Sequence, residues 1–201
     1  MFLIEEENAI SKKYLEMIDS WIMGVDFPWH YQTYSTSTKF PFFGHDVIPR
    51  YDKDNEEMRV NSEAWDLVKD IFESFCIRHS IKVKQVLRCS LNLTMHHEAF
   101  PHSDPHVDHS VPHLNVLMYF NDCPRGSTII FKERDDSGAG VIHSETELDT
   151  NYTIETEISA KKGKIVVFDG RHFHANRFCV EGQRRVVCIL TFIPESYDRS
   201  I

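Results

Sequence analysis

Pro105-His106-Val107-Asp108, Phe168-Asp169-Gly170-Arg171-His172-Phe173-His174-Ala175 and Arg184-Arg185-Val186-Val187-Cys188-Ile189-Leu190 are the stretches on which the fold turns. Residues i and i+2 of an extended segment project to one side, so His106 and Asp108 can hold one metal ion while Val107 faces away. His174 can supply a third ligand. Two imidazoles and one carboxylate on one face of an ion leave the opposite positions open for chemistry. Two alternatives stand beside this set: a second H-x-D pair, His102-Ser103-Asp104, overlaps the first, and His172 lies two residues before His174.

Working outward, the periodicity of residues 83–95, 113–121, 127–134, 152–160, 163–169 and 184–194 is that of strands, with Gly, Pro or polar residues between most of them. A glycine turn is expected at Gly126. Upstream, Ile10, Tyr14, Leu15, Ile18 and Ile22 recur at helical spacing and predict a helix over 6–22. A second helix is predicted over 62–78, where Ala64, Trp65, Leu67, Val68, Ile71, Phe72 and Phe75 form an apolar stripe that Asn61 or Ser62 can cap. Residues 27–48 are aromatic and broken by Pro28, Pro41 and Gly44, which favours extended segments and loops. Residues 50–59 read as a charged, solvated loop and 135–151 as an acidic insertion. The fold class is therefore α+β, mainly β: a double-stranded, jelly-roll-like core over 81–195, buttressed by a helical and aromatic elaboration over 1–80, in one domain spanning 1–201.

Composition narrows the function classes. Lys and Arg number 22 against 31 Asp and Glu, a net charge of -9, so no bulk attraction to nucleic acid or to an anionic membrane is expected. The five cysteines are odd in number and include no C-x-x-C pair, which signals neither a disulfide framework nor a zinc knuckle. Glu5-Glu6-Glu7 stand where a signal peptide would be basic, and no apolar run approaches the ~18 residues of a membrane span. A soluble, cytoplasmic protein is the expectation.

His106-Val-Asp108, Tyr119-Phe-Asn121-Asp122 with Gly126-Ser-Thr-Ile-Ile-Phe131, Gly163-Lys-Ile-Val-Val-Phe168 leading to His174-Ala175, and Arg185-Val-Val follow one another in the order seen in a known family. The chain resembles the 2-oxoglutarate and Fe(II)-dependent dioxygenases, in the branch that contains prolyl hydroxylases, and looks like compact forms encoded by phages and bacteria. The resemblance covers roughly residues 85–194. It implies Fe(II) held by His106, Asp108 and His174, with 2-oxoglutarate and O2 as co-substrates and ascorbate as an optional addition. It further implies a basic residue anchoring 2-oxoglutarate, which fits Arg185 and almost equally Arg184, with the Tyr119 hydroxyl beside it. Where many relatives carry acidic or glycine residues, this chain reads Pro124-Arg125-Gly126-Ser127.

Chemistry points the same way. A planar guanidinium takes a carboxylate through two parallel hydrogen bonds, so a buried arginine suits the far end of a keto-diacid whose near end chelates metal. Alternation on the last strand turns only one of Arg184 and Arg185 inward, and Arg185 is favoured because Arg184 follows Gly182-Gln183. Asn92 and Arg88 share one face of the strand before the metal pair and can reach 2-oxoglutarate or substrate, or serve buried backbone groups instead. His113 lies near the mouth in this reading, without a role. The primary substrate is open; peptidyl hydroxylation is implied by family proximity alone. Two other classes compete: a Zn(II) hydrolase using the same ligands, although no H-E-x-x-H element is present, and a non-catalytic jelly-roll binding module.

Overall fold

The computed structural model describes residues 1–33, 40–50, 58–137 and 152–196. Most of the charged loop expected over 50–59 and of the insertion expected over 135–151 lies outside these residues. In chain order the elements are β1 (Leu3–Glu6), α1 (Lys12–Ser20), β2 (His30–Gln32), β3 (Phe42–Ile48), α2 (Ala64–Arg78), β4 (Val83–Met95), β5 (Leu114–Tyr119), β6 (Cys123–Arg134), β7 (Ile154–Ala160), β8 (Ile165–Asp169), β9 (His172–Asn176) and β10 (Arg184–Pro194).

The strands form two antiparallel sheets. The larger runs β1-β8-β5-β10-β4-β3-β2 and the smaller β7-β6-β9. Residues 96–106 extend the smaller sheet through the bridges His96↔Cys179, His102↔Arg177 and His106↔His174, which lays the H-x-D segment beside β9.

The central strands β5, β8 and β10 of the larger sheet are buried on both faces, which explains why they read as near-continuous apolar runs. Leu91 and Leu93 of β4, Val116 and Met118 of β5, Ile165 and Val167 of β8, and Val186, Cys188 and Leu190 of β10 pack under α1 and α2. Their alternating neighbours Leu117, Tyr119, Val166, Phe168 and Val187 face the smaller sheet with Ile130 and Ile158. Strand parity thus decides what enters the space between the sheets. Arg185 is buried there and Arg184 is exposed, the assignment favoured on sequence grounds.

Four expectations need correction. The first helix starts at Lys12, not Glu6, because Leu3–Glu6 pair with Phe168–Ile165 as an edge strand. Buried Lys164 seals that edge, its Nζ 2.5 Å from Glu5 Oε1. The segment 172–176, outside the strands expected from periodicity, is strand β9, held by β6 on one side and the H-x-D segment on the other. Gly126 sits not in a hairpin turn but inside β6, at an irregularity between the pairs Cys123↔Ala160 and Thr128↔Ile158. His113 is fully buried rather than at a mouth, its ring pressed onto Gly170, where an added Cβ would lie 2.2 Å from Nε2. The aromatic stretch 27–43 divides: Phe27 and Trp29 pack into the helix-side core, whereas Phe40, Pro41 and Phe42 line the cavity described below.

Candidate metal centre

Between the sheets lies a cavity of about 650 Å³. His106, Asp108 and His174 line it and offer ligand atoms that all lie within 4.8 Å of one another. Backbone pairing fixes this juxtaposition: the His106 N–H donates to the His174 carbonyl at 3.0 Å, and the His174 N–H returns the bond at 2.9 Å. Val107, the residue between the ligands, packs outward with Ile129, Phe131, Phe173 and Ala175.

The hydrogen bonds also choose the tautomers. His106 Nδ1 lies 2.9 Å from the Asp104 carbonyl, and His174 Nδ1 3.1 Å from the His172 carbonyl. A carbonyl only accepts, so each Nδ1 carries the proton and each Nε2 keeps a lone pair for a metal. Burial, reinforced by the neighbouring His174, pushes the His106 imidazole down to about 4, which keeps it neutral and ligating at physiological pH. Burial alone would raise the Asp108 carboxyl, but its contact with the His174 ring and the nearby His106 and Arg88 hold it well below the usual carboxylate range. Its Oδ2 stands 3.3 Å from His174 Nε2 and accepts a 3.0 Å hydrogen bond from Asn115 Nδ2. Metal–ligand bonds near ~2.1 Å require donors on one face to sit roughly 3 Å apart, and the donor set fits a divalent ion of the 2-His-1-carboxylate type.

Arg185 lies deeper in the same cavity, with its guanidinium carbon 5.3 Å from the Tyr119 ring centroid. Its Nη2 donates to Thr128 Oγ1 at 2.8 Å, and the Tyr119 hydroxyl meets the same oxygen at 2.7 Å. The Tyr119 hydroxyl therefore reaches the arginine through Thr128, while its ring lies against the guanidinium. Arg185 Nε is buried without a hydrogen-bond partner, an unspent donor where a carboxylate would be welcome. Gly126 makes room for this side chain: a Cβ there would lie 2.6 Å from Cys123 Sγ and 3.1 Å from Arg185 Cδ. Asn92 also lines the cavity, its Oδ1 accepting from Ser90 Oγ at 2.9 Å. The alternative pair separates: the Asp104 carboxylate is buried with no partner for either oxygen, and His102 Nδ1 bonds the Ser103 carbonyl. His172 turns away, with Nδ1 2.8 Å from the Phe131 carbonyl.

Sequence reading passed over three residues. Asn115 is the lone amide in the apolar run Leu114–Tyr119, and that contrast was the available signal. Thr128 shares the inward parity of Ile130 on β6. Arg50, at the end of β3, approaches Asp108 from outside, and no local pattern marks it.

No protein-family model matches the sequence, and no curated protein matches it. Solved structures do match in three dimensions. An oxidoreductase of the 2OG-Fe(II) oxygenase family from Burkholderia pseudomallei superposes with TM-score 0.62 at 10% identity, covering 94% of this chain and 84% of that one. HygX from Streptomyces hygroscopicus, solved with nickel, 2-oxoglutarate and hygromycin B bound, gives 0.58 at 9% identity over 97% and 84%. A prolyl hydroxylase from Trichoplax adhaerens, in complex with a hypoxia inducible factor peptide fragment, gives 0.59 at 11% over 96% and 84%. The chain has the fold of the 2-oxoglutarate/Fe(II) oxygenases, with a His-Asp-His cluster in its cavity.

Proposed function

We propose that the protein is a 2-oxoglutarate-dependent Fe(II) dioxygenase that couples oxidative decarboxylation of 2-oxoglutarate to succinate and CO2 with hydroxylation, or oxidative demethylation, of a second substrate. The observation that carries this reading is the convergence of His106, Asp108 and His174 in one cavity with a buried Arg185 whose Nε has no partner. A hydrolytic zinc site needs no such arginine.

In this reading His106 Nε2, His174 Nε2 and one Asp108 oxygen hold Fe(II), and Asn115 orients that carboxylate. Bound iron supplies the redox chemistry with O2, one oxygen atom going to succinate and the other to the substrate. Arg185 grips the far carboxylate of 2-oxoglutarate through two parallel hydrogen bonds. Thr128 and the Tyr119 ring hold the guanidinium in place, and the walls of β4 and β5 keep bulk water from the reacting centre.

The test is anaerobic titration of the Fe(II)-loaded protein with 2-oxoglutarate, followed through the weak visible charge-transfer band of a chelated keto-acid. The band is expected in the wild type and absent from Asp108→Ala and His174→Ala. Arg185→Ala is expected to weaken 2-oxoglutarate by about 10- to 100-fold, the worth of a charge-assisted hydrogen bond, with iron affinity kept. Bound iron without a band would put the hydrolase and binding-module readings ahead.

A further inference from the structure

We infer that the cavity carries a second oxyanion subsite, formed by Arg88 and Arg50, and that it receives a carboxylate or phosphate group on the primary substrate. The inference rests on the dioxygenase reading for what the cavity processes, but the subsite itself stands on geometry.

Arg88, Ser90, Asn92 and Thr94 alternate along β4, and all four line the cavity. Arg185 pairs with Thr94 across the sheet, whereas Arg88 pairs with Thr191. Six residues of strand separate Thr94 from Arg88, roughly 20 Å at the rise of an extended chain. The two guanidiniums are therefore carried on well-separated rungs of the sheet. Arg185 is 3% exposed and lies at the closed end. The side chains of Arg88 and Arg50 are 17% and 48% exposed and mark the open end.

Charge separates the two ends further. Arg88 Nη1 stands 3.6 Å and Arg50 Nη2 3.7 Å from the same oxygen, Asp108 Oδ1. Both contacts are longer than a hydrogen bond, so neither guanidinium spends those donors on the carboxylate. Arg50 also donates to the Asp108 backbone carbonyl. With a divalent ion on Asp108 and 2-oxoglutarate opposite Arg185, the inner charges cancel: two positive from the metal and one from the arginine against one negative from Asp108 and two from the diacid. Among the described lining residues, two guanidiniums at the open end then face one further carboxylate, Asp46. Two paired guanidiniums among the described lining residues, in a chain of net charge -9, are a recognition element for an anion.

The experiment is calorimetric titration of sulfate, and separately acetate, into Mn(II)-loaded protein saturated with 2-oxoglutarate, with 2-oxoglutarate affinity measured in the same samples. Sulfate or acetate should bind the wild type and weaken at least tenfold in Arg88→Gln and in Arg50→Gln, while Arg88→Lys stays within about threefold. The 2-oxoglutarate affinity should stay within about threefold in all three variants. Tighter sulfate points to a phosphorylated substrate, tighter acetate to a carboxylated one. Anion binding indifferent to both glutamine variants overturns the subsite, as does loss of 2-oxoglutarate from Arg88→Gln, which would make Arg88 the co-substrate clamp. Failure of every form to bind 2-oxoglutarate, with sulfate still dependent on Arg88 and Arg50, would remove the dioxygenase reading and leave the subsite standing. The half-exposed Arg50 keeps the test decisive if Arg88→Gln does not fold.

Discussion

At the scale of single residues, the cavity depends on what is missing as much as on what is present. Gly126 has no side chain where one would collide with Cys123 Sγ at 2.6 Å and crowd Arg185 Cδ at 3.1 Å. Neither neighbour can retreat freely, since both are buried. Gly126→Ala should therefore destabilise the fold by about 1–3 kcal/mol, as overpacking does, and weaken 2-oxoglutarate about tenfold through displacement of the guanidinium. Urea unfolding and a 2-oxoglutarate titration check both parts; unchanged 2-oxoglutarate affinity would show that Arg185 does not depend on this gap. The H-x-D spacing and the late histidine were readable because they are local in sequence. Thr128 as the link between Tyr119 and Arg185 was not, because it depends on the register of β6 against its neighbours.

At the scale of elements, the larger sheet is a wall with two different faces. Helix α2 lays Phe72 against Phe192 of β10, ring centroids 5.3 Å apart in edge-to-face geometry, on the face opposite the cavity. Phe72→Ala should cost about 3–5 kcal/mol by urea unfolding, and the folded protein should still bind metal. A loss below about 1 kcal/mol would mean that α2 is not anchored on β10. The helices and the long strands were legible because each carries its own period, 3.6 or 2 residues. β1 was not: Leu3–Glu6 is short and acidic, and it becomes a strand only because β8 presents a free edge and Lys164 meets Glu5. β9 escaped for a related reason, being defined by its partners on both sides more than by its own five residues.

At the scale of the whole molecule, an acidic chain encloses a cavity whose two ends are held by arginines, and among the described residues no helix is long and apolar enough to cross a membrane. Composition showed the first property but not the second, because net charge says nothing of where the exceptions gather. The mutual backbone bonds between His106 and His174 carry a kinetic consequence. That rung joins segments far apart in the chain, and the entropy of closing such a loop delays it. A metal ion can grip both imidazoles only after the rung has closed, so it should favour the native state without favouring the transition state for folding. Stopped-flow experiments should then show Mn(II) slowing unfolding several-fold while the refolding rate stays within about twofold. Faster refolding with metal would mean that the ion gathers the ligands itself, ahead of the sheets that now hold them together.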